Sequence, residues 1–526
     1  MQPFLAGLTV ASANDIIALK LYLGVVFMNS GWLYHFCHRT LWLIAMITVA
    51  FVLILNIAYI SDVEQSVLET VSIRGYILPS VLMLGLIGII GFVLGKCKAV
   101  LERTDEKKLF FVLAGIYTIL AFYLIFNVDN LIRGDSDVVY RTALDGKLGI
   151  YQMFETAQYM YRYPHQLGLM LYDQILTEFS NNPSFLFLVN FLFVLGINAT
   201  LWRLSDALFH QKLTNILTLI LSFAFLPQLF FILFAYGLIP GFFFMLLGFY
   251  CTVRYVGSGS KKYAAGIVIG TGLAVLLKQN YLIGALAILF FLVLRCFQER
   301  KITYLAVISL VVASMVVPGK LVKSYYEHQS GMLLDNPNPS VLWIGMGTDI
   351  DNTLRGPGWY DNSCWDVYFE ASFNSRKAAE LGREKLLRNW EKIKEDPERA
   401  AIFFGKKYVS QWCDPMYQSL WTGPLEDCGQ YTHTEILQSI YGGGQWGSGL
   451  KNYSKALCLA IWLFATAYTV KFRRGSMGWE LLFMYFIGGL LFHTFWEAKS
   501  QYTYTYMFVL IPFSAHAAGQ LLRRMK

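Results

Sequence analysis

Apolar runs long enough to cross a bilayer as helices, roughly 17 to 25 residues each, recur along nearly the whole chain and alternate with short polar links. They predict spans at residues 41–60, 75–94, 109–126, 184–201, 213–236, 237–253, 264–277, 281–294, 302–317, 456–470, 481–492 and 506–521, after a weaker apolar segment at 21–36. A transmembrane barrel would show short strands of alternating polarity instead. Two segments leave the count open. The run at 213–236 is split by Pro227, and Pro164 opens an amphipathic stretch at 164–179. If that stretch crosses, the split run supplies two short crossings; if it does not, the run crosses once, so the total lies between about 11 and 13.

The polar links differ in charge. Residues 96–108 hold Lys96, Lys98, Arg103, Lys107 and Lys108, and the links 254–263, 295–301, 471–474 and the terminus with Arg523, Arg524 and Lys526 are basic too. Positive links stay in the cytoplasm, which puts 127–172, the turn at 278–280, the long section 318–452 and the turn 497–506 outside. Within the long section, 372–394 reads as an amphipathic helix. A second begins near Pro397, with Ala401, Phe404, Tyr408 and Trp412 at helical spacing suited to a membrane surface. The expected fold is therefore an all-α polytopic transmembrane bundle with a mainly helical extracytoplasmic insertion. Its parts are N-terminal spans (1–108), a transmembrane core (109–317) with its first outer loop at 127–172, the insertion (318–452) and C-terminal spans (453–526).

Composition agrees: 56% of residues are hydrophobic and 15% charged, which excludes a soluble globular chain. The net charge of +8 sits in the short links, so it reports orientation and not a nucleic-acid surface. Residues 1–15 lack the basic flank of a secretory leader. The eight cysteines form no CxxC pair. Cys364, Cys413 and Cys428 share the long outer section, where a Cys413–Cys428 bridge is an option in an oxidising compartment.

Chemistry concentrates at the outer boundary. Asp135 and Asp137 sit one residue apart in GDSD, where a bend at Gly134 would let an extended turn aim both carboxylates one way, as a general base or a shared cation site. Pro164 starts a helix that sets His165, Leu169 and Tyr172 on one face, with Gln166 and Asp173 beside it. Lys278, next to Gln279 and Asn280, interrupts an apolar hairpin; it either neutralises a phosphate or snorkels. The turn EAKSQYTYTY offers Glu497, Lys499, Gln501 and three tyrosines, a mixture suited to a phosphate and a sugar ring or to an aromatic belt. The loop 356–366, GPGWYDNSCWD, reads as a sugar-contacting loop or a tight aromatic turn.

An outward span followed at once by an acidic loop, then Tyr163, Pro164, His165 and Gln166 opening an amphipathic helix, resembles the GT-C superfamily of polytopic glycosyltransferases, which includes protein O-mannosyltransferases and aminoarabinose transferases. The resemblance covers 109–521 as topology, and the spans before it are additional. It implies an inverting transfer of a sugar from a polyprenyl-phosphate carrier to a glycan, lipid or protein of the cell envelope, in a bacterial plasma membrane, at a site on the extracytoplasmic side. It maps the catalytic base onto Asp135 or Asp137, and donor-phosphate contacts onto Lys278 and Lys499, then Arg133, Arg141 and Arg162. His165, Gln166, Tyr172, Gln279, Asn280, Glu497 and Gln501 are substrate-binding candidates. A divalent cation, Mg2+ or Mn2+, held by Asp135 and Asp137 is left open. The competing readings are a transporter or flippase of lipid-linked sugars, and a polysaccharide polymerase or ligase of another membrane fold. Against a transporter stands the placing of the ionisable groups at the boundary, since transporters keep theirs near the midplane.

Overall fold

The computed structural model describes residues 30–472 and 478–525. The segment expected at 21–36 falls largely outside them, as do residues 1–15, Arg473, Arg474 and Lys526. Helix α1 (Ser30–Ala58) and α2 (Ile77–Lys96) are joined by an antiparallel hairpin of β1 (Tyr59–Val63) and β2 (Val71–Gly75), with Tyr59 opposite Gly75 and Val63 opposite Val71. After α3 (Glu106–Phe126) the polar stretch holds α4 (Asp135–Lys147) and α5 (Leu167–Thr177). The bundle continues with α6 (Pro183–Phe209), α7 (Lys212–Ala224), α8 (Leu238–Ser258), α9 (Lys261–Leu277), α10 (Leu282–Glu299) and α11 (Thr303–Ser330). The insertion carries α12 (Val341–Gly347), α13 (Ser363–Glu370), α14 (Ser375–Glu395) and α15 (Pro397–Trp412), and α16 (Gln445–Ala467), α17 (Trp479–Phe495) and α18 (Ile511–Arg524) close the chain.

Eight of the described helices are long and apolar enough to cross a membrane, and the bent pair Lys212–Ala224 and Pro227–Leu233, at 51°, makes nine if it counts as one span. The bend falls at Pro227, which has no N–H for the helix ladder. The expected 11 to 13 spans are reached only by adding α9, α17 and α18, which are 17, 17 and 14 residues long. The 11 residues of α5 reach only roughly 16 Å, too short to cross, which leaves the run split at Pro227 as a single bent element of span length.

Two span boundaries shift. Helix α11 runs through Pro318 to Ser330, where a proline cost the predicted span its second half; prolines persist in such helices when neighbouring groups satisfy the freed backbone. Helix α16 starts eleven residues before the expected position 456, at Gln445. Its early polar groups look inward: Lys455 Nζ donates to Asn56 Oδ1 (3.0 Å) and Tyr59 O (2.8 Å), and Lys451 pairs with Asp62 at 2.6 Å.

The basic links gather at one end. Arg523 lies 3.6 Å from Glu102, Gln520 donates to Gln211 at 3.0 Å, and buried Arg295 reaches Glu480 at 3.4 Å. The hairpin, the 127–182 stretch, the insertion and the 496–510 turn meet at the other. There Val71 N donates to Arg355 O (2.8 Å), His433 N to Asn127 O (2.9 Å) and Ala498 N to Gly358 O (2.9 Å).

The two amphipathic helices of the insertion form as expected, each started by a side-chain cap: Asn374 accepts from Lys377 N at 3.0 Å, and Asp396, ahead of Pro397, from Arg399 N at 2.9 Å. Helix α15 does not simply lie on a membrane surface. Its Phe403, Lys407, Ser410 and Trp412 are buried, because the helix packs on α1, the hairpin and α17. Cys413 is buried, Cys428 exposed, and both are free thiols, so the optional bridge between them is not formed.

Candidate active site

Asp135 and Asp137 do not share a direction. Gly134, at φ 62° and ψ −142°, a conformation that only glycine adopts readily, turns the chain straight into α4, so both aspartates lie in a helical first turn. There they favour the positive end of the helix dipole, but residues two apart on a helix are separated by about 200° around its axis. Asp137 faces away, paired to Arg141 Nε at 2.8 Å. Asp135 is exposed, and its charge reaches Tyr163, Tyr236, Lys278, Tyr360, Glu497 and Lys499. The expectation of an extended acidic turn with two equivalent carboxylates is corrected accordingly, and Arg141 leaves the site with Asp137.

Lys278 stands where α9 ends in extended backbone. Its Nζ donates to Tyr236 O at 3.2 Å and lies 4.2 Å from the Tyr236 ring centre. Burial and then the charge of Lys499 push it down to about 7, against the pull of Asp135 and Glu497. His165 is held at about 4, by burial and then by Lys278. His165 is exposed, and its ring stands 6.0 Å from that of Tyr163. Gln166 Nε2 donates to Tyr236 Oη at 2.7 Å, and the Tyr159 and Tyr236 hydroxyls are 2.8 Å apart.

Close backbone approach sets this wall. Gly237 has φ +72°, and a Cβ there would come within 2.4 Å of Leu277 O. Gly237→Ala is expected to cost at least about 1–3 kcal/mol in backbone strain alone and to displace Lys278. A thermal unfolding midpoint equal to wild type would contradict this.

Lys499 is largely covered, with its side chain 16% exposed, and already neutralised. Its Nζ lies 2.9 Å and 3.0 Å from the two Glu69 oxygens and 3.9 Å from Glu497. Burial works against its charge, yet Glu69 and then Glu497 outweigh it and hold Lys499 above the usual lysine range. Glu497, on burial, rises to about 7 although Lys499 opposes the shift. Glu69 also accepts from Gln418 Nε2 at 2.9 Å. Below the turn that carries these groups, Lys407 Nζ donates to Thr494 O (3.0 Å), Trp496 O (2.7 Å) and Gly347 O, while Asp414 accepts from Ser500 Oγ at 2.7 Å.

Glu69, in the β1–β2 loop, was not among the sequence candidates. A usable signal existed: by the parity of the basic links, that loop emerges on the same side as Asp135, and it carries carboxylates between two spans. The N-terminal pair thus contributes directly to the site.

The remaining candidates divide. Arg133 donates to Trp421 O and to Ser66 O (3.1 Å) and lies 4.0 Å over the Trp421 ring, which makes it a clamp between hairpin and insertion. Tyr172 turns instead to the buried Asp173, in a separate enclosed gap with Asn190 and Pro240. Gln279 is exposed at the tip of its turn, Asn280 is half-buried, and Gln501 is buried with Oε1 unpartnered. Arg162 lies between aromatic rings on the Tyr163 side.

No family model and no curated protein matches this chain. Among solved structures, the crystal structure of ArnT from Cupriavidus metallidurans bound to undecaprenyl phosphate is similar over 77% of this chain and 77% of its own, at 13% identity and a TM-score of 0.33. A superposition that loose carries no argument, so the site is interpreted from its own residues.

Asp137 is committed to Arg141 and Glu69 to Lys499, and no group of three or more His, Cys, Asp or Glu is arranged around one point among the described residues. The helix turns Asp135 and Asp137 apart, so the two carboxylates do not converge on one cation.

Proposed function

We propose that the protein is a membrane glycosyltransferase of the GT-C kind that takes a sugar from a polyprenyl-phosphate carrier and transfers it to an envelope acceptor. The observation that supports this reading is that an exposed carboxylate, Asp135, acts by its charge on Lys278, which rests on Tyr236 O. Among the described residues no carboxylate lies within ion-pair distance of Lys278, whose recorded contacts are a backbone carbonyl and two rings. Lys499, by contrast, is spent on Glu69. The gathering of basic links at the opposite end supports placing the site on the extracytoplasmic side.

In the proposed reaction Asp135 accepts the proton of an acceptor hydroxyl while its oxygen bonds to the anomeric carbon. The bond from that carbon to the phosphate oxygen breaks and its electron pair stays with the phosphate. Lys278 faces the charge that grows there, in surroundings dry enough to strengthen the attraction. One displacement inverts the anomeric configuration.

Donor binding should depend on pH with a definite sign. A sugar phosphodiester keeps its single charge throughout, whereas Lys278 loses its proton through about 7. Affinity for the donor is therefore full below pH 7 and falls as pH rises through it, by up to about tenfold per unit. Titrating donor affinity between pH 6 and 9 for wild type and Lys278→Met checks this: a slope is expected in wild type and none in the variant. A flat wild-type profile would remove Lys278 from the phosphate.

A further inference from the structure

The loop 356–366 and the Arg162 side chain are not used by the reaction as described. Arg162 is half-buried with its guanidinium 4.6 Å from the Trp365 ring centre and 5.0 Å from that of Tyr163. No carboxylate pairs with it among the described residues, and its Nε is buried without an acceptor. Beside it, buried Asn338 donates its backbone N–H to Arg162 O at 2.9 Å. The Asn338 amide approaches the Tyr163 phenol, but neither Nδ2 nor Oδ1 closes a hydrogen bond. Tyr163 stands 5.8 Å from Trp343, which stacks in parallel on Trp496 at 5.9 Å.

Cation–π contacts alone contribute about 0.5–2 kcal/mol each and do not answer the guanidinium N–H donors, of which Nε is buried without an acceptor. The planar fork matches a carboxylate or phosphate, and aromatic faces suit the C–H side of a sugar ring. The position also fits: the Asp135 charge reaches Tyr163, whose ring stands 4.9 Å from that of Tyr159, and the Tyr159 hydroxyl is 2.8 Å from that of Tyr236, so the box borders the Tyr236 wall on which Lys278 rests.

We propose that Arg162, Asn338 and the rings of Tyr163, Trp343, Trp365 and Trp496 form the acceptor subsite, and that the acceptor is a saccharide carrying an oxyanion near the hydroxyl that is glycosylated. The proposal rests on the transferase reading for its role, but its ligand chemistry can be tested without turnover. The full chain in nanodiscs is titrated with glucose, glucuronate and glucose 6-phosphate, by saturation-transfer NMR. Glucuronate or glucose 6-phosphate is expected to bind at least tenfold tighter than glucose, and the better of the two tells carboxylate from phosphate. Arg162→Gln should bring all three to the glucose level, Arg162→Lys should keep part of the preference, and Trp365→Ala should weaken all three alike. The preference should survive Lys278→Met.

Equal affinities in the wild type, or a preference lost in Lys278→Met and kept in Arg162→Gln, would overturn the subsite. If Arg162→Gln does not fold, the wild-type comparison with Arg162→Lys and Lys278→Met still decides. Undecaprenyl phosphate binding to wild type and Lys278→Met is measured alongside. If Lys278→Met leaves it unchanged, the donor reading fails and the Arg162 result stands by itself.

Discussion

Asp135→Asn is expected to lower the rate of sugar transfer by about 10²- to 10⁴-fold, the usual contribution of a positioned general base, while donor affinity stays close to wild type. Asp137→Asn should transfer at nearly the normal rate. The contrast follows from the helix: two carboxylates that look equivalent in GDSD are turned to opposite sides of α4, one toward Lys278 and Glu497 and the other onto Arg141. In the Asp137–Arg141 pair Arg141 is 71% exposed and Asp137 27%, so solvent screens it and removing it should cost under about 1 kcal/mol of stability. Single-turnover transfer with both variants checks the contrast, and equal losses in the two would show that the carboxylates act together.

Lys499→Met is expected to be the most destabilising of the charge substitutions. It leaves Glu69 and Glu497, 5% exposed each, without their cation, and breaking a buried pair from one side costs about 3–5 kcal/mol. Glu69→Gln combined with Lys499→Met should recover part of that loss, because no unpaired carboxylate then remains at Glu69 and Gln418 can still donate to the new amide. Unfolding midpoints of the two single variants and the double variant measure the coupling. A Lys499→Met protein as stable as wild type would mean that the pair is not the clasp between the N-terminal hairpin and the 496–503 turn. The same charge also depresses Lys278, so in the double variant the pH at which donor affinity begins to fall should move upward.

Much of the architecture could be read from apolar runs, since a helix in lipid must be apolar over its whole crossing and the basic links between runs report sides. The amphipathic helices at 375–395 and 397–412 were equally legible, because their caps and periodicity are local. What could not be read depends on contacts distant in sequence. Glu69 meets Lys499 across 430 positions. Lys407 looks like one more solvated charge on an amphipathic helix, yet it is buried and ties down three carbonyls near the site. The acidic motif failed for a different reason: GDSD fits an extended turn or a helix start, and only the residues after it, which carry apolar groups at helical spacing, decide between them. Early apolar cut-offs also truncated α16, whose lysines face protein and not water.

The central claim is that a lipid-linked phosphate sits on Lys278 with Asp135 beside the sugar. A cryo-EM map of the full chain in nanodiscs with added polyprenyl phosphate tests it most directly. The account predicts headgroup density at this site, with a phosphate oxygen roughly 2.8 Å from Lys278 Nζ and the anomeric position open toward Asp135. A headgroup bound outside that site, with Lys278 still resting on Tyr236 O, would contradict it.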